Sequence, residues 1–183
     1  MPLSKLVLPP EPTIPPSVTR RAAVAIVVGP DSETLFIRRA TREGDPWSGD
    51  MAFPGGREHP EDPTLRATAE RETREEVGLD LSGAELVGAL DVLLSPFRDP
   101  SGAFGVAPYV YRIGGFPPLT PNHEVASTHL LSLDRLRRGE GRGEFTLTGY
   151  GPPRELPCVR IDGVFIWGMT LRMLDTLLTR LDG

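Results

Sequence analysis

The sequence predicts a single-domain α/β protein in which a mixed β-sheet lies between helices. A length of 183 residues suits one domain with a sizeable core. A hydrophobic content of 39% supports a packed interior, although the chain contains 20 glycines and 20 prolines. Short apolar strand patterns alternate with two helical patterns along the chain. Neither an internal repeat nor a linker to a second domain interrupts this order.

The N-terminal segment differs from the rest of the chain. Residues 1–19 contain six prolines and no periodic apolar pattern, so they are predicted to form an extended arm. The arm could lie across its own domain or across a neighbouring subunit, and a homodimer is left open. The folded domain is predicted to span residues 20–183.

The first strands are predicted from an apolar run and a turn. Residues 22–28 form a short continuous apolar run, which is typical of a buried strand. Turn-forming residues at 29–32 then predict a hairpin to a second strand at 34–37. A loop rich in Gly, Pro and Asp leads from there to a glycine pair, Gly55 and Gly56.

The clearest helix is predicted at residues 63–77. Asp62 suits the N-cap, Pro63 suits the first helical position, and Gly78 suits the helix end. Leucines at helical spacing over 169–181 predict a C-terminal helix. Further strands are predicted at 85–94, at 104–113, near Phe145, and at 159–166, and an apolar stretch lies at 125–133.

Charge and composition narrow the class of protein. The chain has 25 acidic and 20 basic residues, for a formal charge of −5, which argues against a dedicated nucleic-acid binder. The single cysteine, Cys158, excludes an internal disulfide and a cysteine-rich zinc site. No apolar stretch approaches the roughly 20 residues that cross a bilayer, and Pro9 and Pro10 interrupt any signal-peptide core. We therefore expect a soluble cytoplasmic protein with no nucleic-acid or membrane partner.

The helix at 63–77 carries acidic residues on its apolar side. At about 100° per residue with Leu65 at zero, Glu72 falls at about −20° and Glu76 at about +20°. Both lie on the stripe that the apolar residues mark as inward, and Glu75 flanks that stripe. This helix is therefore predicted to turn a cluster of carboxylates towards the body of the protein.

Clustered carboxylates need a positive partner, because they repel each other and are costly to bury unpaired. One interpretation is a salt-bridge network with Arg71. By the same angular positions, Glu70 and Arg74 are predicted to face solvent. The other is a divalent cation such as Mg²⁺, which prefers oxygen ligands. Gly55 and Gly56 would let backbone groups approach a metal or a phosphate. The spacing favours the metal.

The same segment resembles the Nudix box, G-x5-E-x7-R-E-U-x-E-E-x-G-U. The second half of the box is matched by Arg71-Glu72-x-x-Glu75-Glu76-x-Gly78-Leu79. The first half departs from the pattern: Asp62 stands where the box has Glu, one extra residue precedes Arg71, and Thr73 stands at an aliphatic position. The resemblance implies a Nudix α/β/α sandwich with a mixed sheet.

Other segments resemble the branch of Nudix enzymes that cleaves coenzyme A. The end of that branch's upstream signature, LLTxRS-x3-R-x3-G-x3-FPGG, is matched by Gly49-x-x-x-Phe53-Pro54-Gly55-Gly56. Residues 35–40 resemble its start with a one-residue shift and without the serine, and Asp45 stands at the second arginine position. Residues 165–170 also look like this branch.

The resemblance implies metal-dependent hydrolysis of the pyrophosphate of coenzyme A or a derivative, giving 3′,5′-ADP and 4′-phosphopantetheine. ADP-ribose, dinucleoside polyphosphates and (d)NTPs are alternative substrates. A Nudix module that binds a nucleotide without hydrolysing it is the alternative from another class of protein.

The resemblance also implies roles for particular residues. The implied ligands of Mg²⁺, with Mn²⁺ as an alternative ion, are Glu72, Glu75, Glu76 and the carbonyl of Gly56. Arg71 would orient these glutamates. Glu75 and Glu124 are both candidates for the general base, and the competing interpretation of Glu124 is an ordinary loop glutamate.

Candidate substrate-binding residues lie upstream of the helix. Arg38 and Arg39 could meet phosphates at a strand end, although exposed strand arginines are common. Trp47 is a candidate for stacking on a base, with Gly55 beside the pyrophosphate. Trp167 is predicted to be a packing residue.

Overall fold

The computed structural model describes residues 3, 6–45, 47–96, 102–149 and 151–182. Within these residues the chain forms eleven strands and three helices. In chain order they are β1 (Val18–Val28), β2 (Glu33–Arg39), β3 (Met51–Ala52), β4 (Gly55–Arg57), α1 (Leu65–Val77), β5 (Glu85–Ala89), β6 (Leu93–Leu94), β7 (Ala103–Arg112), β8 (Val125–Ser132), α2 (Leu133–Arg137), β9 (Arg142–Leu147), β10 (Arg154–Ile161), β11 (Val164–Trp167) and α3 (Gly168–Asp182).

The strands of the described residues form two sheets. The larger sheet has eight strands with the order β3-β2-β1-β7-β5, to which β4, β6 and β8 are added through β1, β7 and β2. β1 and β7 are parallel, whereas β2 pairs antiparallel with β1, so this sheet is mixed as predicted. The smaller sheet is antiparallel with the order β11-β10-β9.

Alternate side chains of β1 point to opposite faces of the large sheet, as expected for a strand. Ala23, Ala25 and Val27 pack with residues of α1. Val24, Ile26 and Val28 pack with α3 and with the inner face of the small sheet. β1 is therefore covered on both faces, which explains its continuous apolar run and confirms the predicted α/β fold with the sheet between helical layers.

Helix α1 begins later than the sequence predicted. Its first residue is Leu65 and its N-cap is Thr64, whose hydroxyl accepts a hydrogen bond from the Ala67 N–H at 3.1 Å. The assignment of Asp62 as N-cap is wrong, because its carboxylate binds other groups. The predicted end is confirmed: Gly78 adopts φ +71°, and its N–H caps the helix at the Arg74 carbonyl.

Three other predictions need correction. The strand predicted at 159–166 is a hairpin of β10 and β11, which turns between Ile161 and Val164. The strand predicted at 85–94 is divided into β5 and β6, which pair with separate parts of β7. Glu70 does not simply face solvent: its carboxylate accepts a hydrogen bond from the buried Tyr111 hydroxyl at 3.0 Å and pairs with Arg66. The solvent-facing position predicted for Arg74 is confirmed.

The described residues of the N-terminal arm lie across their own domain. Leu3 is buried in the core, and Leu6 and Leu8 pack against that core. The Pro9 carbonyl accepts a hydrogen bond from the Ala89 N–H at 2.7 Å, and the Glu11 carboxylate accepts one from the Tyr109 hydroxyl. The arm is thus held by apolar and polar contacts to β5 and β7.

Candidate functional site

The glycine strand β4 runs antiparallel to β1, with Gly56 opposite Ala23 and Gly55 opposite Val24. At Gly55, where φ is +150°, a β-carbon would lie only 2.3 Å from the Ala23 carbonyl oxygen. A side chain at this position therefore has no room, and glycine lets the two strands approach closely.

Helix α1 places two carboxylates against this glycine strand. Glu76 is 8% exposed, and its Oε2 accepts a hydrogen bond from the Gly55 N–H at 2.8 Å. A β-carbon on Gly56 would lie 2.5–2.7 Å from the atoms of the Glu72 carboxyl group. The missing side chain of Gly56 thus leaves the space that the Glu72 carboxylate occupies. The inward position predicted for Glu72 and Glu76 is confirmed.

Burial raises the pKa of Glu76 to about 7. That value includes the repulsion by the Glu72 and Glu124 carboxylates, which acts in the same direction as burial, and the Gly55 N–H and the positive charge of Arg39, which act in the opposite direction. The site therefore concentrates negative charge beside a buried acid, and a cation bound there would favour the ionised carboxylate.

Arg71 lies between the acidic groups of this region and is only 17% exposed. It donates two hydrogen bonds to Asp62, from Nε to Oδ1 and from Nη2 to Oδ2, each 2.9 Å long. Its Nη1 donates to Glu72 at 2.9 Å and to Glu75 at 3.1 Å. The bonds to Asp62, and then to Glu72, raise the pKa of Arg71, and all four bonds fix its guanidinium beside the glutamates.

The two candidate bases have different surroundings. Glu75 has a side chain that is 51% exposed, and its one ion pair in the described residues is the bond to Arg71. Glu124 is 43% exposed and pairs with Arg42 at 2.9 Å. The segment before it is tied to the helix end, because the Asn122 N–H donates to the Glu76 carbonyl at 2.8 Å. The Glu124 carboxylate therefore acts on Glu76, whereas the Glu75 carboxylate is held by Arg71.

The two neighbouring arginines of β2 have separate partners. Arg39 pairs with Asp45, and its charge lowers the pKa of Glu76. Arg38 instead donates to the carbonyl of Gly163, in the turn between β10 and β11, at 3.2 Å. The structure therefore brings Arg39, but not Arg38, towards the carboxylates of α1.

Trp47 lies at the edge of this region, against a residue that the sequence predicted as simple packing. Its ring centroid is 6.1 Å from that of Trp167. The backbone N–H of Trp47 donates to the Asp45 carboxylate at 3.0 Å, and the indole N–H of Trp167 donates to the Asp50 carboxylate at 3.1 Å. Sequence reasoning missed this link, since the two tryptophans are distant in the chain and only the fold joins them.

The residues that could hold a divalent ion are Glu72, Glu75, Glu76 and the Gly56 carbonyl. Within the described ranges, no three His, Cys, Asp or Glu side chains are already arranged as a metal cluster. The Glu72 and Glu75 carboxylates are held by Arg71 instead. These donors nevertheless fit a hard cation, because all of them are oxygen atoms and the carboxylates concentrate negative charge beside the glycines of β4.

This architecture defines an α/β protein in which a glycine strand and an acidic helix form one anionic site. The chain belongs to the NUDIX family, because the family model described as NUDIX domain matches residues 18–147.

Two relatives share moderate sequence similarity with the chain. It is 34% identical over 140 residues to the mitochondrial coenzyme A diphosphatase NUDT8 of Homo sapiens, an alignment that covers 74% of this chain and 57% of the human protein. It is 30% identical over 164 residues to a protein of Yersinia pestis named Uncharacterized Nudix hydrolase NudL, covering 88% and 79% of the two chains. The chain thus spans a little over half the length of the human relative.

A solved structure supports the fold. The NUDIX domain of Shewanella oneidensis NrtR, crystallised with ADP ribose, superposes with a TM-score of 0.57 at 13% identity, covering 92% of this chain and 90% of that one. No helix among the described residues is long and apolar enough to span a membrane.

Proposed function

We propose that the protein is a divalent-metal-dependent hydrolase that cleaves the pyrophosphate of a nucleoside diphosphate derivative, with coenzyme A as its substrate. The observation that carries this proposal is the contact between β4 and α1: the Glu76 carboxylate on the Gly55 N–H, with Glu72 in the space beside Gly56. The two carboxylates therefore meet at β4, where a side chain on either glycine would collide with its surroundings.

A metal is the natural partner of this arrangement. Glu72, Glu75, Glu76 and the Gly56 carbonyl would hold Mg²⁺, or Mn²⁺ in its place. A bound Mg²⁺ supplies charge neutralisation for phosphate oxygens and lowers the pKa of a water molecule. In the reaction a water oxygen bonds to one phosphorus, the bridging P–O bond breaks, and the water proton passes to a base.

Arg71 is a positioning residue in this proposal. Its bonds to Asp62 fix the guanidinium, and the guanidinium in turn holds Glu72 and Glu75. A partly buried arginine with several carboxylate partners limits the conformations of each acid. The acids are therefore held in place before a substrate arrives.

The general base is proposed to be either Glu75, which Arg71 holds beside Glu72, or Glu124, whose charge acts on Glu76. Replacing a general base lowers turnover by about 100- to 10,000-fold with little change in KM. Comparing Glu75→Gln with Glu124→Gln under saturating substrate assigns the role to the variant that shows this loss. If both variants lose only a small and equal part of their turnover, neither residue is the general base.

The choice of coenzyme A is supported by the human relative, which is named a mitochondrial coenzyme A diphosphatase. It is also supported by the match of residues 49–56 to the signature of the coenzyme A branch. A cytoplasmic location remains a proposal beside it, as does the division into an arm at 1–19 and a domain at 20–183, and the oligomeric state stays open.

A substrate panel in Mg²⁺ tests the proposal. Coenzyme A, ADP-ribose, dinucleoside polyphosphates and (d)NTPs are compared by kcat/KM, each with a chelator control. We expect coenzyme A to give the highest value and to yield 3′,5′-ADP and 4′-phosphopantetheine. Coenzyme A turnover far below that of ADP-ribose would overturn the substrate. If no compound is hydrolysed, and Glu75→Gln and Glu76→Gln bind nucleotide as well as the natural chain, the protein is a binding module.

A further inference from the structure

Strand β8 forms a bare edge of the large sheet. It pairs with β2 along one side, and no strand among the described residues pairs with its other side. The strand is long for an edge, with eight residues from Val125 to Ser132. An unpaired edge of this kind presents a row of backbone N–H and C=O groups that can bind a further strand.

The pairing with β2 decides which backbone groups of β8 face the bare edge. In an antiparallel pair, every second residue directs its N–H and C=O groups to the partner strand. The Leu133 N–H, directly after β8 and in the same register, donates to the Ser32 carbonyl at 2.8 Å. Counting back from Leu133 in steps of two, His129 also directs its backbone groups to β2. Thr128 and Leu130 therefore direct theirs away from β2, to the bare edge.

Two other edge strands of the described residues are protected in ways that β8 is not. The outer edge of β5 is covered by the N-terminal arm, whose Pro9 carbonyl accepts a hydrogen bond from the Ala89 N–H. The edge strand of the small sheet, β9, carries the exposed charges of Arg142 and Glu144. Charges and covering segments are common means of preventing edge pairing. β8 contains no acidic residue, no lysine or arginine, and no proline.

The surface of this edge suits a second copy of the chain. Two copies that each carry a formal charge of −5 repel each other, except where an uncharged surface meets its equivalent. Burial, and then the positive charge of Arg38, lower the pKa of His129, so β8 is uncharged at neutral pH. Leu130 is 39% exposed, which is unusual for a large hydrophobic side chain among the described residues. The edge is therefore an uncharged strip with an exposed leucine on it.

We propose that β8 pairs antiparallel with β8 of a second copy around a two-fold axis, which joins the two large sheets into one. A two-fold interface uses the same surface on both copies. With the axis beside His129, Thr128 of each copy lies opposite Leu130 of the other, and both pairs exchange their free backbone hydrogen bonds. The two Leu130 side chains become diagonal neighbours on one face, which removes exposed apolar surface from water.

This register makes a prediction about distance. The two His129 residues lie directly opposite each other in a pair without hydrogen bonds, in which the α-carbons are about 4.5 Å apart. A disulfide requires α-carbons about 4.4–6.8 Å apart. Cysteines that replace His129 in both copies should therefore form a disulfide. The natural Cys158 is fully buried and does not compete for this reaction.

The mass of the full chain in solution is the first test. One chain has a mass of 19.9 kDa, and sedimentation over a range of concentrations measures the dimer. We expect a dissociation constant on the order of 10 μM, because a single pair of strands forms a small interface. A chain that stays monomeric up to about 1 mM would overturn the proposal and leave the edge to a strand of another protein.

A charge on the edge should prevent the pairing. Leu130→Lys places two positive charges beside the two-fold axis, and we expect the dissociation constant to rise at least about tenfold. Leu94→Lys is the matched control, since Leu94 is 37% exposed on β6 and should not affect the dimer. Thermal unfolding of both variants checks that they are folded. A dimer that is as stable in Leu130→Lys as in the natural chain would place the interface elsewhere and overturn the proposal.

Disulfide trapping tests the register and does not depend on the lysine variant. We expect His129→Cys to form a covalent dimer under mild oxidation, and Leu94→Cys to form little. A His129→Cys protein that crosslinks no faster than Leu94→Cys would contradict the pairing around His129. None of these measurements involves hydrolysis, so their outcome and that of the proposed function are separate.

Discussion

Arg71 and Asp62 form a two-point ion pair, in which Nε and Nη2 of the guanidinium each donate a 2.9 Å hydrogen bond to one carboxylate oxygen. The Asp62 side chain is 7% exposed. Asp62 also accepts from the Thr68 hydroxyl at 2.8 Å and from the His59 N–H at 2.9 Å. The turn before α1 is therefore joined to the middle of the helix through one arginine, which also holds Glu72 and Glu75.

Asp62→Ala should lower both stability and turnover. Removing one partner leaves the largely buried Arg71 without its main acid, and we expect the free energy of unfolding to fall by about 2–3 kcal/mol. Turnover should fall further than this loss explains, because Arg71 no longer fixes the glutamates. Urea unfolding and kcat at saturating coenzyme A measure the two effects. Asp31→Ala, at an exposed turn position, is the control and should change neither measurably.

The same ion pair predicts a dependence of stability on pH. Hydrogen bonds from Arg71, and then from the His59 N–H and the Thr68 hydroxyl, hold the pKa of Asp62 well below its usual range. A depressed folded-state pKa contributes stability that is complete above the unfolded pKa of about 3.9 and is lost as the pH falls below it. The difference in unfolding free energy between the natural chain and Asp62→Asn should therefore narrow below about pH 4. A difference that widens on acidification would contradict this role.

The two glycines of β4 should respond differently to alanine. In Gly55→Ala the new β-carbon meets the Ala23 carbonyl at 2.3 Å and the Val24 α-carbon at 2.5 Å, so we expect a loss of at least about 2 kcal/mol of stability. In Gly56→Ala its three nearest atoms belong to the Glu72 carboxyl group, the far end of a flexible side chain that can shift at the cost of its bond to Arg71. Stability should then change by less than about 1 kcal/mol, while turnover falls by about 100-fold.

Gly83→Ala is the matched control for this pair, since a β-carbon there contacts nothing within 4 Å. Thermal unfolding and coenzyme A turnover of the three variants distinguish backbone strain at Gly55 from displacement of the Glu72 carboxylate at Gly56. Full turnover in Gly56→Ala would show that the position of Glu72 beside the glycine does not matter for the reaction.

Neighbouring residues of the arm provide a test of its contacts. Leu8 packs against the core, whereas Val7 is 90% exposed. We expect Leu8→Ala to lower the free energy of unfolding by about 1–2 kcal/mol and Val7→Ala by less than about 0.5 kcal/mol. Chemical denaturation of both variants measures the difference. Equal effects would mean that the arm does not contribute to the stability of the domain.

Local patterns in the sequence predicted much of the fold. The apolar run at 22–28 identified a strand covered on both faces, and the leucine spacing identified α3. The angular positions on α1 placed Glu72 and Glu76 inward, next to the glycines that the same reasoning singled out. Each of these signals depends on residues close together in the chain.

Features that depend on tertiary contacts were not predicted. Asp62 and Thr64 are both good caps, and the distant Arg71 decides which of them begins the helix. Arg38 and Arg39 are adjacent in the chain, but Arg38 donates to the Gly163 carbonyl and Arg39 pairs with Asp45. Trp167 joins the site only because the small sheet packs beside the loop that carries Trp47. The roles assigned to the site residues remain predictions.

The central claim is that the carboxylates beside β4 carry out the hydrolysis. The most direct measurement is the rate of coenzyme A hydrolysis at saturating Mg²⁺ for the natural chain, Glu76→Gln and Glu85→Gln. Glu85 pairs with Arg112 on the adjoining strand and serves as the matched control. We predict equal rates for the natural chain and Glu85→Gln, with a loss of at least about 1,000-fold in Glu76→Gln. A Glu76→Gln protein that hydrolyses coenzyme A as fast as the natural chain would contradict the account.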